Sequence, residues 1–396
     1  MTTNHQSPEQ AATRGLLQAV SADLGHDVAP EWQQAALAVP RHHFLPDRIW
    51  TDQGGRYRPV DRMEDAADWF RAAYALAPVV TQVNDGAEPD GPDDAWPSSS
   101  ASHPSVVFRM LEAADIAPGA NVLHIGTGTG WDTGMISHHI GDANVITVEV
   151  DATLADRAQD SLKSLGHQPT VVCGDGRLGF GHLAPYDRVL ATCSVRRVPP
   201  HWIAQTRPGG VILTPWDNPW ICWGLLRLVV GDDGKTAMGR YSPHSAFMLM
   251  RTQRQDLLIH GDVVKDDHRP EESVTTLPRR VVVSGDAAFA IGHRLGDVWH
   301  TWQDEPVDGV ADRLWIATTD GTSWAAVDHD GGEGDDFTVY QHGPRRLWNE
   351  VEDAHQWWVE KGRPGPERFG LTVGLTVGPE GHRAWLDDPA DSWPLR

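Results

Sequence analysis

Residues Asn121 to Val150, NVLHIGTGTGWDTGMISHHIGDANVITVEV, read as strand, glycine loop, helix, strand and acid. Val122, Leu123 and Ile125 form a short apolar run. Gly126, Gly128 and Gly130 open a tight turn, and Trp131 to Ile140 has helical length. A second β run, Val145 to Val148, ends on Glu149. Glycines at the mouth of the first strand let the backbone approach a ligand closely, and a carboxylate at the tip of the second can accept both hydroxyls of a ribose. The stretch predicts a ligand that carries a nucleoside.

Spacing narrows the choice. GTGTG is a G-x-G-x-G loop followed by Trp131, not the G-x-G-x-x-G that sets a dinucleotide pyrophosphate on a helix N-terminus. S-adenosylmethionine has no pyrophosphate to cradle, so the loop favours it over NAD. Three glycines in five residues also suit a turn with no ligand. The next segment argues for the ligand: Thr170 to Cys173 is a short β run that ends on Asp175 and Gly176, where an acid is placed to meet an adenine amino group. Asp187 leads a fourth strand, Arg188 to Ala191. Helical sequence from Pro200 to Gln205, a turn at Arg207 to Gly210 and a fifth strand at Val211 to Pro215 follow. This alternation predicts an α/β fold with a parallel, doubly wound sheet and its ligand at the carboxyl ends of the strands.

VLHIGTGTGW, the GDGRLGF..LAPYD block and VPPHWIAQTRPGGVILTP stand in the order and spacing of protein-L-isoaspartate O-methyltransferases, as do AVPRHHFLP (Ala38 to Pro46) and SASHPSVVFRMLE (Ser100 to Glu112). The chain resembles that family over roughly residues 30 to 250. The resemblance implies a class I (Rossmann-like) methyltransferase fold that binds S-adenosylmethionine and methylates the side-chain carboxylate of an aspartyl or isoaspartyl residue. It assigns the cofactor to Gly126, Thr127, Gly128, Gly130, Glu149, Asp175, Gly176 and Arg177. Ser102 matches the serine that hydrogen-bonds the substrate carboxylate near the transferred methyl. Thr81, Gln82, Ser100 and His103 are candidates for holding the peptide, and Phe108 falls where the simple enzymes have alanine, which alters the expected pocket. A competing reading makes Ser102 or Ser105 a helix N-cap with Pro104 in the first turn; a helix N-terminus also attracts a carboxylate, so both roles are compatible.

Composition excludes more than it assigns. With 33 basic against 55 acidic residues, the formal charge of −22 argues against a nucleic-acid substrate, because phosphate neutralisation dominates that kind of affinity. Cys173, Cys193 and Cys222 are odd in number and lack C-x-x-C spacing, so neither a disulfide framework nor a metal site is expected. The adjacent pairs His42/His43 and His138/His139 diverge on a helix and read as surface or packing residues. No long apolar run suggests a membrane span, and MTTNHQSPEQAATRG lacks the features of a secretory signal, which predicts a cytoplasmic protein.

Three regions are expected. Residues 1–97 form a helical N-terminal region with an insertion, 98–251 the methyltransferase domain, and 252–396 a C-terminal α+β accessory domain. Pro8 to Val39 looks helical, with Leu16, Leu17, Val20 and Leu24 on one face. The insertion, Asp47 to Pro97, contains an expected helix from Asp61 to Leu76, then APVVTQVND, then the acidic GAEPDGPDDAWP, which suits either a rebuilt substrate entrance or a disordered spacer. The C-terminal region shows strand-like runs at Arg280 to Val283 and Leu371 to Val377, a helix-like stretch from Leu347 to Lys361, and nine of the 18 tryptophans, which suit a packed core or a peptide-binding face. These departures, with PSSSASHP and VVTQVNDG, resemble an actinobacterial branch that methylates one aspartate of a ribosomally made, cyclised peptide, a lanthipeptide or graspetide, whose ester closes to an aspartimide. A repair methyltransferase with an accessory domain, and a scaffold that binds S-adenosylmethionine without turnover, are the alternatives.

Overall fold

The computed structural model describes residues 7–91, 94–243, 245–254, 257–331, 336–376 and 381–395. The chain forms two compact units. The first comprises residues 1–193, 199–214 and 227–236, and the second 194–198, 215–226 and 237–396.

In the first unit, Ser7 accepts the Gln10 N–H and starts α1 (Pro8–Leu24), which ends where Gly25 turns left-handed at φ 78°. Pro30 then opens α2 (Pro30–Ala38). The helical stretch expected over 8–39 is therefore two helices, because glycine supplies a left-handed stop and proline a fresh start. Leu16, Leu17 and Val20 are buried, while Leu24 is only half-buried.

The insertion is more ordered than the sequence suggested. It folds as β1 (Arg48–Asp52), β2 (Tyr57–Asp61), α3 (Ala66–Ala73), β3 (Val79–Val83) and β4 (Pro97–Ala101), with the strands in the order β2-β1-β3-β4. The helix expected from Asp61 to Leu76 shrinks to α3 because Tyr57–Asp61 pairs antiparallel with β1 and Asp65 caps the helix by accepting the Asp68 N–H at 2.8 Å. The acidic stretch closes the β3–β4 hairpin: Trp96 N–H donates to Asn84 Oδ1 at 2.9 Å, and Asn84 Nδ2 to the Asp94 carbonyl at 3.1 Å. Pro92 and Asp93 of that stretch lie outside the described residues. Ile49, Val60, Trp69, Val79 and Ala101 form the core beneath this sheet.

Strands and helices then alternate as expected: α4 (Pro104–Ala114), β5 (Val122–Ile125), α5 (Trp131–Ile140), β6 (Val145–Glu149), α6 (Ala152–Ser164), β7 (Thr170–Cys173), β8 (Tyr186–Ala191), α7 (Pro200–Gln205) and β9 (Thr206–Asp217). The strands pair in parallel in the order β9-β8-β5-β6-β7. β5 and β6 are buried along their whole length, as strands covered on both faces must be. From β5 the chain goes to β6 on one side, and β8 lies on the other, so the glycine loop after β5 stands at a topological switch point. The turn expected at Arg207 to Gly210 is instead part of β9. Its extra residues are taken up by a register irregularity opposite Tyr186–Arg188, with Gly209 at φ 72°.

The chain crosses between the units within β9, β10 (Cys222–Val230) and β11 (Thr236–Ser242). The second unit continues with β12 (Glu271–Thr275), α8 (Arg279–Val282), α9 (Gly285–Leu295), β13 (Val298–Asp304), β14 (Asp312–Thr318), β15 (Trp324–His329), β16 (Phe337–His342), α10 (Leu347–Glu360), β17 (Phe369–Gly374), β18 (His382–Leu386) and β19 (Ser392–Pro394). Its five-stranded antiparallel sheet has the order β12-β16-β15-β14-β13, and β17, β18 and β19 pair antiparallel. The strand expected at Arg280 to Val283 is the short helix α8, entered through Pro278, which cannot continue a ladder but suits a helix start. β17 stops at Gly374, and Val377 lies outside the described residues. Trp315, Trp324, Trp348 and Trp385 are buried, whereas Trp302 is exposed beside the Arg279 guanidinium. Among the described residues no helix is long and apolar enough to cross a membrane.

Candidate functional site

The glycine loop is held from three sides. Gly126 N–H donates to the Val148 carbonyl at 2.9 Å, and the Thr192 hydroxyl donates to the Gly126 carbonyl at 2.7 Å. Thr127 is buried, its hydroxyl 2.6 Å from that of Thr147. Below the loop, His124 contacts the Thr133 hydroxyl through Nδ1 at 2.9 Å and the Thr192 hydroxyl through Nε2 at 3.1 Å. Burial pushes its imidazole down to about 4, so at neutral pH it is an uncharged support.

Gly126 and Gly128 take φ of 86° and 53°, a region that side chains disfavour. A Cβ added at Gly128 would project into the gap between the loop and β4, 3.9 Å from both the Gly126 carbonyl oxygen and the Ser99 hydroxyl. The loop thus presents bare backbone where a ligand would lie.

Glu149 stands at the tip of β6, 6% exposed. Its Oε2 accepts the Gly128 N–H at 2.9 Å and its Oε1 the Asp151 N–H at 3.1 Å. Both oxygens are oriented by backbone, and each keeps acceptor capacity for a hydroxyl. Asp151 caps α6 through the Thr153 and Leu154 amides and also accepts Gln82 Nε2 at 3.0 Å, while Ser98 donates to Gln82 Oε1 at 2.9 Å. Gln82, expected to hold peptide, therefore ties β3 to Asp151 at the start of α6.

Asp175 and Gly176 follow β7 as expected, but the Asp175 carboxylate is bound by its neighbour. Arg177 donates its backbone N–H to Oδ1 at 2.9 Å and its guanidinium to Oδ2 at 2.7 and 3.0 Å. These bonds hold the Asp175 carboxyl below the usual carboxylate range. The Gly176 carbonyl accepts Trp202 Nε1 at 2.8 Å, which fixes the turn.

On the serine side, α4 begins at Pro104 and its N-cap is His103, with no side-chain cap bond. The expected capping by Ser102 or Ser105 is thus corrected: proline at the first helical position places His103 at the cap, and the buried Ser105 hydroxyl has no hydrogen-bond partner among the described residues. Ser102 is half-buried between β4 and α4, its carbonyl accepting Arg41 Nη2 at 2.9 Å. His103 is half-buried and burial lowers its pKa. Ser100 is half-buried opposite Val80. Phe108 departs from its expected role: it is fully buried, its ring edge-on to Trp131 at 6.1 Å, and so it packs α4 against α5 instead of offering a contact surface. Thr81 is also buried, and its hydroxyl donates to that of Ser99 at 3.3 Å. A cavity of ≈240 Å³ beside the loop is lined by Gly128, Thr129, Thr81, Phe44, Leu154 and Arg157, among others.

Two residues escaped the sequence reading. Ser99 faces Gly128, a placement that alternation along PSSSA would have exposed had that string been read as a strand. Arg41 is buried within the quoted AVPRHHFLP motif, and nothing in a single sequence separates a buried arginine from a surface one.

The parallel sheet with its bare glycine loop and an acid at the tip of the next strand defines a class I methyltransferase fold. The sequence profile described as Protein-L-isoaspartate(D-aspartate) O-methyltransferase (PCMT) matches residues 58–242. A protein-L-isoaspartate O-methyltransferase of Gloeobacter violaceus is 38% identical over 183 residues, 46% of this chain and 72% of that protein. One of Ignicoccus hospitalis is 36% identical over 128 residues, 32% of this chain and 61% of that protein. One of Methanosarcina mazei is 31% identical over 184 residues, 46% of this chain and 62% of that protein. A solved structure of a protein-L-isoaspartate O-methyltransferase superposes with TM-score 0.54 at 19% identity, covering 95% of this chain and 100% of that one. The chain belongs to the protein-L-isoaspartate O-methyltransferase family, although it spans less than two thirds of the length of the Ignicoccus and Methanosarcina relatives.

Proposed function

We propose that this protein is an S-adenosylmethionine-dependent carboxyl O-methyltransferase that esterifies the side-chain carboxylate of an isoaspartyl or aspartyl residue in a peptide or protein. The observation that carries the reading is the bare loop at Gly128 facing the β4 serines, with the Glu149 carboxylate oriented beside it, in a chain of this family.

The residues fit the cofactor. Glu149 suits the ribose hydroxyls, and the loop Gly126, Thr127, Gly128 and Gly130 suits the methionyl portion. Asp175 and Gly176 suit the adenine edge once the Arg177 guanidinium swings off the carboxylate it now binds. When bound, S-adenosylmethionine supplies a sulfonium methyl that a carboxylate oxygen takes as its ester.

The chain's own contribution is positioning. A free aspartate has a pKa near 3.9, so at pH 7 roughly one in a thousand is protonated and no general base is required. Ser102 donates a hydrogen bond to one carboxylate oxygen and leaves the other aimed at the methyl. Holding two reactants in line is worth up to about 7 to 11 kcal/mol in well-oriented systems.

The isoaspartyl substrate is the first reading, supported by the names its relatives carry. A second reading, methylation of one normal aspartate in a ribosomally made, cyclised peptide with closure to a succinimide, is favoured by the four-stranded sheet built from the insertion, which adds surface at the strand leading into Ser102. In that reading residues 252–396 recognise peptide. In either, the protein works in the cytoplasm on a partner that is neither nucleic acid nor membrane.

The test is methyl incorporation into an isoaspartyl test peptide, a linear precursor from the same gene neighbourhood, and that precursor after cyclisation. Methylation of the isoaspartyl peptide is expected. Methylation of the cyclised precursor alone, followed by loss of methanol, would establish the second reading, and no incorporation into any of them would overturn both.

A further inference from the structure

Arg41 is 1% exposed, yet it carries a guanidinium. Pro40 and the short turn Arg41–Phe44 bring it into the interior of the first unit. There Nη1 donates to the carbonyls of Ala73 at 2.9 Å and Ala75 at 3.4 Å, and Nη2 to those of Ala77 at 3.1 Å, Ala101 at 3.0 Å and Ser102 at 2.9 Å. The first three carbonyls belong to the C-terminal end of α3 and the chain leaving it, where a helix presents unpaired acceptors and the negative end of its dipole. The last two belong to the segment that carries Ser102.

A third segment reaches the same side chain. The guanidinium carbon lies 5.5 Å from the ring centroid of Trp131, and the Asp132 carboxyl beside that ring favours its charged form. Trp131 and Asp132 are the first residues of α5, directly after the glycine loop. One side chain therefore joins the end of the inserted helix, the serine segment and the helix start behind the cofactor loop.

We infer that Arg41 is a positioning residue for methyl transfer: its guanidinium fixes the Ala101–Ser102 backbone against α3 and the start of α5, so the inserted segment takes part in placing the Ser102 hydroxyl. The inference rests on the carboxyl-methyltransferase reading for its catalytic consequence, but not for its geometry. Arginine suits the task because a planar fork of five N–H groups can serve carbonyls in several directions, whereas lysine offers three donors on a point charge. Misplacing a group by about 1 Å can cost on the order of 100-fold in rate.

The test uses the full chain. In Arg41→Lys, amide hydrogen exchange should rise about tenfold in residues 72–78 and 97–104 together, the change expected when a local opening becomes easier by roughly one hydrogen bond. Exchange in β5 and β6, residues 122–125 and 145–149, should stay as in the wild type. Affinity for S-adenosylhomocysteine, measured by calorimetry, should hold within about threefold, while kcat on the peptide that the wild type methylates falls about 100-fold and KM changes little. In Arg41→Ala, added methylguanidinium should restore part of kcat. Exchange that rises equally throughout the first unit, or a kcat that does not change in Arg41→Lys, would overturn the proposal. If wild-type protein methylates no substrate, the proposed function fails, and the exchange pattern still decides whether Arg41 holds the serine segment.

Discussion

In the proposed site Ser102 is the neutral donor and Glu149 the fixed acceptor. Glu149 is committed by its strand and by two backbone amides, so its geometry exists before any ligand arrives. Ser102 is placed through its carbonyl, and its hydroxyl is not used as a helix cap. Ser102→Ala should therefore leave cofactor binding intact while lowering turnover by about 10 to 100-fold, the loss expected when a hydrogen bond of about 1.5 to 3 kcal/mol to a charged group is missing from the transition state. The check is a pair of measurements: methyl incorporation, and the rise in melting temperature given by S-adenosylhomocysteine. Glu149→Ala should lose that rise, which amounts to about 2.7 kcal/mol at 100 times the dissociation constant. If Ser102→Ala turns over at the wild-type rate, the serine has no part in holding the carboxylate.

The elements around the serine are set by the inserted sheet, whose core centres on Trp69. That ring is 1% exposed and packs with Ile49, Val60, Val79 and Ala101, its Nε1 donates to the Pro46 carbonyl at 2.9 Å, and the Arg62 guanidinium lies 4.8 Å from its centroid. Trp69→Ala should cost about 3 to 5 kcal/mol in urea unfolding, the range for removing a buried aromatic that leaves a cavity. A loss under about 1 kcal/mol would mean that the cluster collapses onto the gap and does not brace β4. The sequence made some elements legible and hid others for physical reasons. β5, α5, β6, β7 and α7 were readable because apolar runs, glycines and an acid mark them within a few residues. α3 was overextended because the stretch 62–65 carries helix-compatible residues next to it, and only the non-local pairing of Asp61 with Arg48 and the cap at Asp65 delay the helix to Ala66. Arg280 to Val283 looked like a strand from its β-branched run, yet Pro278 and local packing make it a helix. The candidate site followed the same rule. The glycine loop and Glu149 are local in sequence and were visible, whereas the contacts of Gln82 with Asp151 and of Arg41 with Ser102 join residues 69 and 61 positions apart and were not.

Over the whole molecule, acid sensitivity follows from histidines buried as neutral rings in both units. Burial pushes His124 in the first unit down to about 4, His293 in the second down to about 4, and His382 in the second down to about 3. His382 Nε2 accepts the Val198 N–H at 2.9 Å, which only the unprotonated nitrogen can do. Each group has a folded pKa below its ordinary value of 6.5, so the unfolded chain binds more protons below that pH. Their stabilising contribution is complete above the ordinary value and is lost as pH falls toward the folded values, at roughly 1.4 kcal/mol per unit and per group. Asp132 works in the opposite direction. Burial raises its carboxyl to about 7 against the pull of Arg41, so it disfavours the fold as pH rises from about 4 to 7 and relieves it in acid. Loss of surface repulsion in a chain of formal charge −22 also favours the fold as carboxylates titrate, but that effect is screened at physiological salt and the buried groups are not. The three depressed histidines should outweigh the two carboxyls that burial raises, Asp132 and Asp217, so the melting temperature in 0.15 M salt should hold from pH 8 to about 6.5 and then drop steeply toward pH 4. Calorimetric scans across that range decide it. A melting temperature that stays flat to pH 5 would show that these imidazoles accept protons without leaving the folded state. Asp132→Asn should steepen the acid slope, because it removes a half-buried carboxyl that titrates against the histidines.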